Sequence, residues 1–197
     1  MLILARHGRT EANARGLLQG RMDLPLDDVG REQARRIASA LQSVDTVICS
    51  PLRRAIETAE ALGKSFDIDE RFIELDFGVL DGQRRQDVDP AIWRRLQTDI
   101  DFAPDNGESL AALMARVAPA LDELLVRSLE EDIVVFSHVM PIKASFCHAL
   151  SIGIEFARRS YLDQASLTRL LMTPSGPVVY AFNETGHLRD APAASGL

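Results

Sequence analysis

Apolar residues along this chain follow two alternating rhythms. Short unbroken apolar runs, Leu2-Ile3-Leu4-Ala5, Val44 to Cys49 and Ile133 to Phe136, read as buried strands. Between them the apolar positions recur at helical spacing. Val29 to Ser43 carries Ala34, Ile37, Ala38 and Leu41 on one face, and Ser109 to Ser128 carries Leu110, Leu113, Val117, Leu121, Leu124 and Leu125. Ser50-Pro51 predicts a helix running to about Gly63, with the serine as cap and the proline in the first turn. Pro141 predicts another, to about Leu150. Asp67 to Asp69 reads as a short strand. Leu167 to Met172 and Val178 to Phe182 read as strands joined by a Thr173-Pro174-Ser175-Gly176 turn.

Strands alternating with helices imply a mostly parallel sheet covered on both faces, a three-layer α/β/α sandwich. The length, 197 residues, suits one domain over 1–190. The stretch from about 75 to 107 is less regular. It mixes glycine, proline, aspartate and arginine around Trp93 and reads as a lid-like insertion. The last residues, 191–197, read as a frayed tail.

Composition narrows the function classes. Lys+Arg number 22 against 29 Asp+Glu, a net charge of −7, which argues against nucleic acid and anionic membrane as partners. No apolar run approaches bilayer-spanning length. The opening strand at Leu2 predicts that no signal peptide is present. Two cysteines, Cys49 and Cys147, are too few for a disulfide framework, so a reducing cytoplasm is the expected location. A homodimer is left open.

The strand ends carry the chemistry. In a parallel sheet the residues after each strand share one edge, and ligands bind there. Arg6-His7-Gly8 follows the first strand, with Thr10 placed to cap a helix. Ser50 to Arg54 follows the second, with Arg54 on the first turn of its helix, where backbone N–H groups and the helix dipole favour an anion. His138 follows Ile133 to Phe136. A histidine at such an edge can attack phosphorus, and arginines can hold phosphate oxygens. Cysteine-based phosphoryl chemistry is a poor fit, because a Cys-x5-Arg loop would place its arginine on Ala55 or Gly153. A metal site is also a poor fit. No two histidines show ligand spacing on one predicted face, and arginine beside His7 would repel a divalent ion.

In this context the chain resembles the histidine phosphatase superfamily, the phosphoglycerate mutase-like proteins. The likeness rests on Arg6-His7-Gly8-x-Thr10-x-x-Asn13, on Gln19-Gly20 with Asp23-x-Pro25-Leu26 and Gly30-x-x-Gln33-Ala34, and on Ser50-Pro51-Leu52-x-Arg54-Ala55-x-x-Thr58-Ala59. Glu74-Leu75-x-Phe77-Gly78, Gly107-Glu108-Ser109 and Ser137-His138 follow in order. The resemblance implies His7 as a phosphoryl-accepting nucleophile, Arg6, Arg54 and His138 as ligands of the phosphoryl oxygens, and Glu74 as general acid. Asn13, Thr10, Gln19, Gly20 and Val139 are implied at the substrate site. It implies no cofactor and no metal, and a small phosphorylated metabolite as substrate.

One departure stands out. Where the family commonly has Gly-Gly after the second histidine, this chain has Val139-Met140-Pro141. Pro141 is expected to hold Met140 extended. Lys143, one turn on, reads as a helix-surface lysine, and Arg21, Arg84, Arg85, Arg94 and Arg95 either grip a second acidic group or are solvated. The implied activity is phosphomonoester hydrolysis, of which sugar phosphates, phosphoglycerate derivatives and a ribazole phosphate are candidate substrates. A phosphoglycerate mutase-type phosphotransferase is the alternative, less favoured because the lid is short. A non-catalytic phospho-ligand binder is a third reading.

Overall fold

The structure, a computed structural model, describes residues 1–189. The tail expected at 191–197 lies outside the described residues. Six strands form one sheet: β1 (Leu2–Arg6), β2 (Thr46–Cys49), β3 (Asp67–Ile68), β4 (Ile133–Ser137), β5 (Leu167–Thr173) and β6 (Gly176–Glu184). Their order is β3-β2-β4-β1-β5-β6. The first four run parallel, while β5 and β6 are antiparallel additions at one side. The Pro174-Ser175 turn closes the β5–β6 hairpin as its sequence predicts.

The three-layer sandwich follows from the strands' period of two. Leu2, Leu4, Ile133 and Val135 pack into one core with the apolar face of α5 (Leu110–Arg127) and with α6 (Val139–Ala149). Ile3, Ala5, Val134 and Phe136 pack into a second core with α2 (Asp28–Ala40) and α3 (Arg53–Glu60). Both faces are covered, which is why β1 and β4 are buried at every position and apolar up to the Arg6 and Ser137 that end them.

Three helix starts differ from expectation. α3 begins at Arg53, not at Ser50-Pro51, and its cap residue, Leu52, makes no side-chain capping bond. It ends at Glu60, short of Gly63. The Ser50 hydroxyl bonds a histidine instead. α6 begins at Val139, two residues before Pro141, so Met140 is helical rather than extended. The first N–H groups of a helix have no intrahelical partner, so a proline in that turn forfeits no bond. α2 begins at Asp28 because the Asp27 carboxylate accepts from Gly30 N at 2.8 Å.

The loop after β1 is pinned by backbone contact. A Cβ on Gly8 would lie 2.5 Å from the Gly30 carbonyl oxygen, and one on Gly30 would lie 2.0 Å from that of Arg9. The Gln33 side chain accepts from Arg9 N at 2.8 Å. The Gly30-x-x-Gln33 spacing therefore seats α2 against the loop that carries His7. A short helix, α1 (Glu11–Ala14), follows, capped by Thr10 in a capping box with Asn13.

The irregular segment 75–107 holds two 3-10 turns, Gly78–Leu80 and Arg85–Asp87, and α4 (Pro90–Thr98). No residue of α4 is fully buried. The segment is tied to the loop after α1 by Leu18 N to Gln83 O at 2.9 Å and Gly82 N to Leu18 O at 2.8 Å.

Candidate active site

β1, β4 and β2 are adjacent and parallel, so their carboxyl ends deliver His7, His138 and Ser50 to one place. The His7 and His138 ring centroids lie 5.1 Å apart. Arg54, on the first turn of α3, is 1% exposed and donates its Nε to His138 Nδ1 at 3.1 Å. These three side chains converge, as the strand-edge argument requires.

The hydrogen bonds fix both tautomers. His7 Nδ1 lies 2.7 Å from the Gly8 carbonyl oxygen, which can only accept. Nδ1 therefore carries the proton, and Nε2 carries a free lone pair. Burial, then the Arg54 and Arg6 charges, hold this imidazole well below the ordinary histidine range, so it is neutral. In His138 the logic inverts. Nδ1 accepts from Arg54, so Nε2 carries the proton and donates to Ser50 Oγ at 2.6 Å. Burial and Arg54 hold His138 well below the ordinary range as well.

The guanidiniums have donors to spare. Arg54 donates Nη1 to Met22 O and Nη2 to Gly20 O, both at 2.7 Å. With Nε on His138, two of its five N–H groups stay uncommitted. Arg6 donates Nη1 to the Leu162 carbonyl, and its buried Nε has no partner. The buried Gln19 Nε2 is also unpartnered. Its Oε1 accepts from Thr10 Oγ1 at 2.9 Å. The Asn13 side-chain oxygen accepts from Thr10 N at 3.1 Å, which leaves its NH₂ as the uncommitted end. A pocket of about 210 Å³ is lined by Arg6, His7, Asn13, Gln19, Arg54 and Glu74, among others. Buried donors without protein acceptors around one small space have the chemistry to hold an anion.

Glu74 closes the other side of that pocket. Its Oε1 accepts from Leu75 N at 2.8 Å and from Met140 N, in the first turn of α6, at 3.1 Å. Burial pushes its carboxyl above the usual range, against the pull of those two N–H groups and of Arg54 and Arg6. Its backbone is clamped. Arg116 Nη2 and Arg21 Nε each reach the Glu74 carbonyl at 3.2 Å, and both arginines pair with Glu108.

The expected substrate contacts divide. Asn13, Gln19, Gly20 and Val139 line the pocket. Thr10 does not; it is fully buried and braces Asn13 and Gln19 from behind. Gly20 also presents its carbonyl to Arg54. Val139 sits in the first helical turn with negative φ, so the absence of Gly-Gly introduces no backbone strain. Lys143 is not a surface residue: it is 8% exposed, with Nζ bonded to the Ala157 and Ser160 carbonyls. Arg21 braces Glu74, Arg85 lies over Trp93, and Arg84, Arg94 and Arg95 are exposed. Sequence reasoning missed Ser50 as the partner of His138, and missed the Glu108 clamp. The Ser50-Pro51 and Gly107-Glu108-Ser109 blocks held both signals, but only spatial pairing explains them. Cys49 and Cys147 are buried free thiols, and burial pushes Cys49 up to about 12. Among the described residues no cluster of three His, Cys, Asp or Glu could hold a metal. No helix among them is long and apolar enough to cross a membrane.

Comparison with known proteins gives the family. Residues 2–185 match the family model of the histidine phosphatase superfamily, branch 1. Phosphoserine phosphatase 1 of Hydrogenobacter thermophilus is 32% identical over 199 residues, covering 95% of this chain and 93% of that protein. The crystal structure of a phosphoserine phosphatase mutant from Entamoeba histolytica, in complex with phosphoserine, superposes with a TM-score of 0.88 at 29% identity, covering 95% of this chain and 98% of that one. The alpha-ribazole phosphatase of Shigella flexneri superposes at 0.82 with 25% identity, covering 93% and 96%. The fold is phosphoglycerate mutase-like, and the chain is a phosphatase belonging to branch 1 of the histidine phosphatase superfamily.

Proposed function

We propose that the chain hydrolyses small phosphomonoesters, without a metal, through a phosphohistidine on His7. The observation that carries this reading is the tautomer: the Gly8 carbonyl holds the His7 proton on Nδ1, so Nε2 is an available nucleophile beside uncommitted arginine N–H groups.

In the first step Nε2 attacks phosphorus and the ester P–O bond breaks. Glu74, kept protonated by burial, gives its proton to the departing alkoxide. In the second step the Glu74 carboxylate takes a proton from water, whose oxygen attacks the phosphohistidine. The P–N bond breaks, returning neutral His7 and inorganic phosphate. Arg6 and Arg54 hold the equatorial oxygens, where the transferred charge spreads. While Arg54 occupies Nδ1 of His138, that imidazole has no N–H for an anion. It binds one once Arg54 Nε turns from Nδ1 to the phosphoryl oxygens and Nδ1 takes a proton from solvent, which the negative charge of a phosphoryl group favours.

The substrate is a small phosphorylated metabolite. Phosphoserine, bound by the Entamoeba neighbour, is a candidate, and so is α-ribazole phosphate, which gives the Shigella neighbour its name. Two unpaired buried thiols suit a cytoplasmic location. Phosphate release across a metabolite panel, in the presence of chelator and with His7→Ala as blank, tests the reading. Chelator-resistant release that His7→Ala abolishes is the expected result. Isomerisation of 3-phosphoglycerate without phosphate release would make the chain a mutase.

A further inference from the structure

A second cavity, of about 270 Å³, adjoins the anion pocket and shares Phe77 and Met140 with it. Its walls are mainly apolar. Trp93, Leu96 and Phe102 come from the 75–107 segment, and Leu110 and Met140 come from α5 and α6. Lys143 lines it too.

Lys143 is an odd residue to find there. It is buried, and among the described residues no carboxylate lies within salt-bridge distance of its Nζ. Its two partners, Ala157 O and Ser160 O, are neutral carbonyls. An ammonium has three N–H donors, so one remains uncommitted. A buried charge without an opposite charge is unfavourable unless something supplies that charge. Arg158, on the same wall, donates to the Gln97 and Asp99 carbonyls, and its buried Nε has no partner. The one acid on the wall, Glu108, is already held by both Arg116 and Arg21. Among the described residues the unpaired charge on this wall is therefore positive, set among apolar side chains and beside the anion pocket.

We propose that this cavity receives the leaving group, and that the preferred leaving group is a hydroxy acid with an apolar body whose carboxylate reaches Lys143. The inference rests on the phosphatase reading and adds a substrate class to it. A polyol would leave its hydroxyls unmatched against Trp93, Leu96 and Phe102. A neutral alkyl chain would leave Lys143 unpaired, and a basic group would meet like charge.

Three alkyl monoesters of similar leaving-group chemistry test it: 5-phosphooxypentanoate, its primary amide, and n-pentyl phosphate. The wild-type enzyme is expected to show kcat/KM about tenfold or more higher for the pentanoate than for the amide, as a charged hydrogen bond allows. In Lys143→Met that ratio should fall to about one. Should that variant not fold, the wild-type ratios still decide. So does Trp93→Ala, on the loosely packed α4, which should flatten the rise in kcat/KM from phosphooxyacetate to phosphooxypentanoate. Equal rates on pentanoate, amide and alkyl ester would overturn the proposal while leaving the phosphatase reading intact. So would no release from the pentanoate by an enzyme that hydrolyses other monoesters. No phosphate release from any monoester, with His7→Ala indistinguishable from wild type, would remove the phosphatase reading and this inference with it.

Discussion

Replacing Glu74 by glutamine isolates the proton from the rest of the site. Glutamine keeps the side-chain length and an acceptor for the Leu75 and Met140 amides, which lie 2.8 and 3.1 Å from Oε1. It cannot give up a proton. General acid catalysis contributes about 10²- to 10⁴-fold, or about 2.7 to 5.4 kcal/mol of barrier. Burial lifts the Glu74 carboxyl, so its acid form persists nearer neutrality than an exposed glutamate's would. The full effect belongs only to leaving groups that need the proton. An alkoxide is a strong base, whereas a nitrophenolate departs unaided. Glu74→Gln should therefore lose about 10³-fold in kcat/KM on an alkyl phosphate and less than about tenfold on 4-nitrophenyl phosphate. With the nitrophenyl ester, a burst of nitrophenolate should precede slow turnover, because the variant also lacks the base for dephosphorylation. Stopped-flow absorbance reads the burst, and coupled phosphate release reads the turnover. Equal losses on the two substrates would refute Glu74 as the acid and leave it a structural carboxyl.

Three further outcomes follow from the buried charges and contacts. Sulfate, a dianion throughout the range, should inhibit through a complex in which His138 is protonated; since free His138 sits well below its ordinary pKa, inhibition should weaken about tenfold per pH unit above neutrality, and a pH-independent inhibition constant would contradict this. Both pocket histidines are neutral when folded and protonatable when unfolded, so their contribution to stability is lost as pH falls below about 6.5, at up to about 1.4 kcal/mol per pH unit for each. Glu74 has the opposite sign, its raised pKa opposing folding as pH climbs above about 4.5, so Glu74→Gln should steepen the acid decline in Tm. Gly30→Ala, whose Cβ would meet the Arg9 carbonyl at 2.0 Å, should destabilise by about 3 kcal/mol, a Tm drop of about 6–12 °C by calorimetry; an unchanged Tm would mean α2 is not seated on the His7 loop.

The legible part of this protein was the part governed by local pattern. Runs such as Ile133 to Phe136 have no polar face, so they had to be central strands. Once β1, β2 and β4 were parallel neighbours, the residues just past them had to meet. The same edge logic singles out His7, Arg54 and His138, and the resemblance adds Glu74. What sequence left hidden depends on contacts between distant segments. Ser50 has the chemistry of a helix cap, and only the approach of His138 diverts its hydroxyl. Lys143 has the spacing of a surface residue, but carbonyls from the 154–159 turn region and Ser160 draw it inward. The Val139 start of α6 defeated the usual reading of a residue before proline, because the Glu74 carboxylate accepts from Met140 N and holds that turn. The second cavity is built from the irregular segment, where no period marks which side chains face inward.

The central claim is that His7 Nε2 forms a bond to phosphorus during turnover. Rapid quench into base during hydrolysis of a radiolabelled monoester, followed by peptide mapping, tests it directly. The expected result is one label, stable in base and lost in acid, on the peptide containing His7, absent from His7→Ala and enriched in Glu74→Gln. Turnover with no label above the His7→Ala blank, or a label on any other residue, would contradict it.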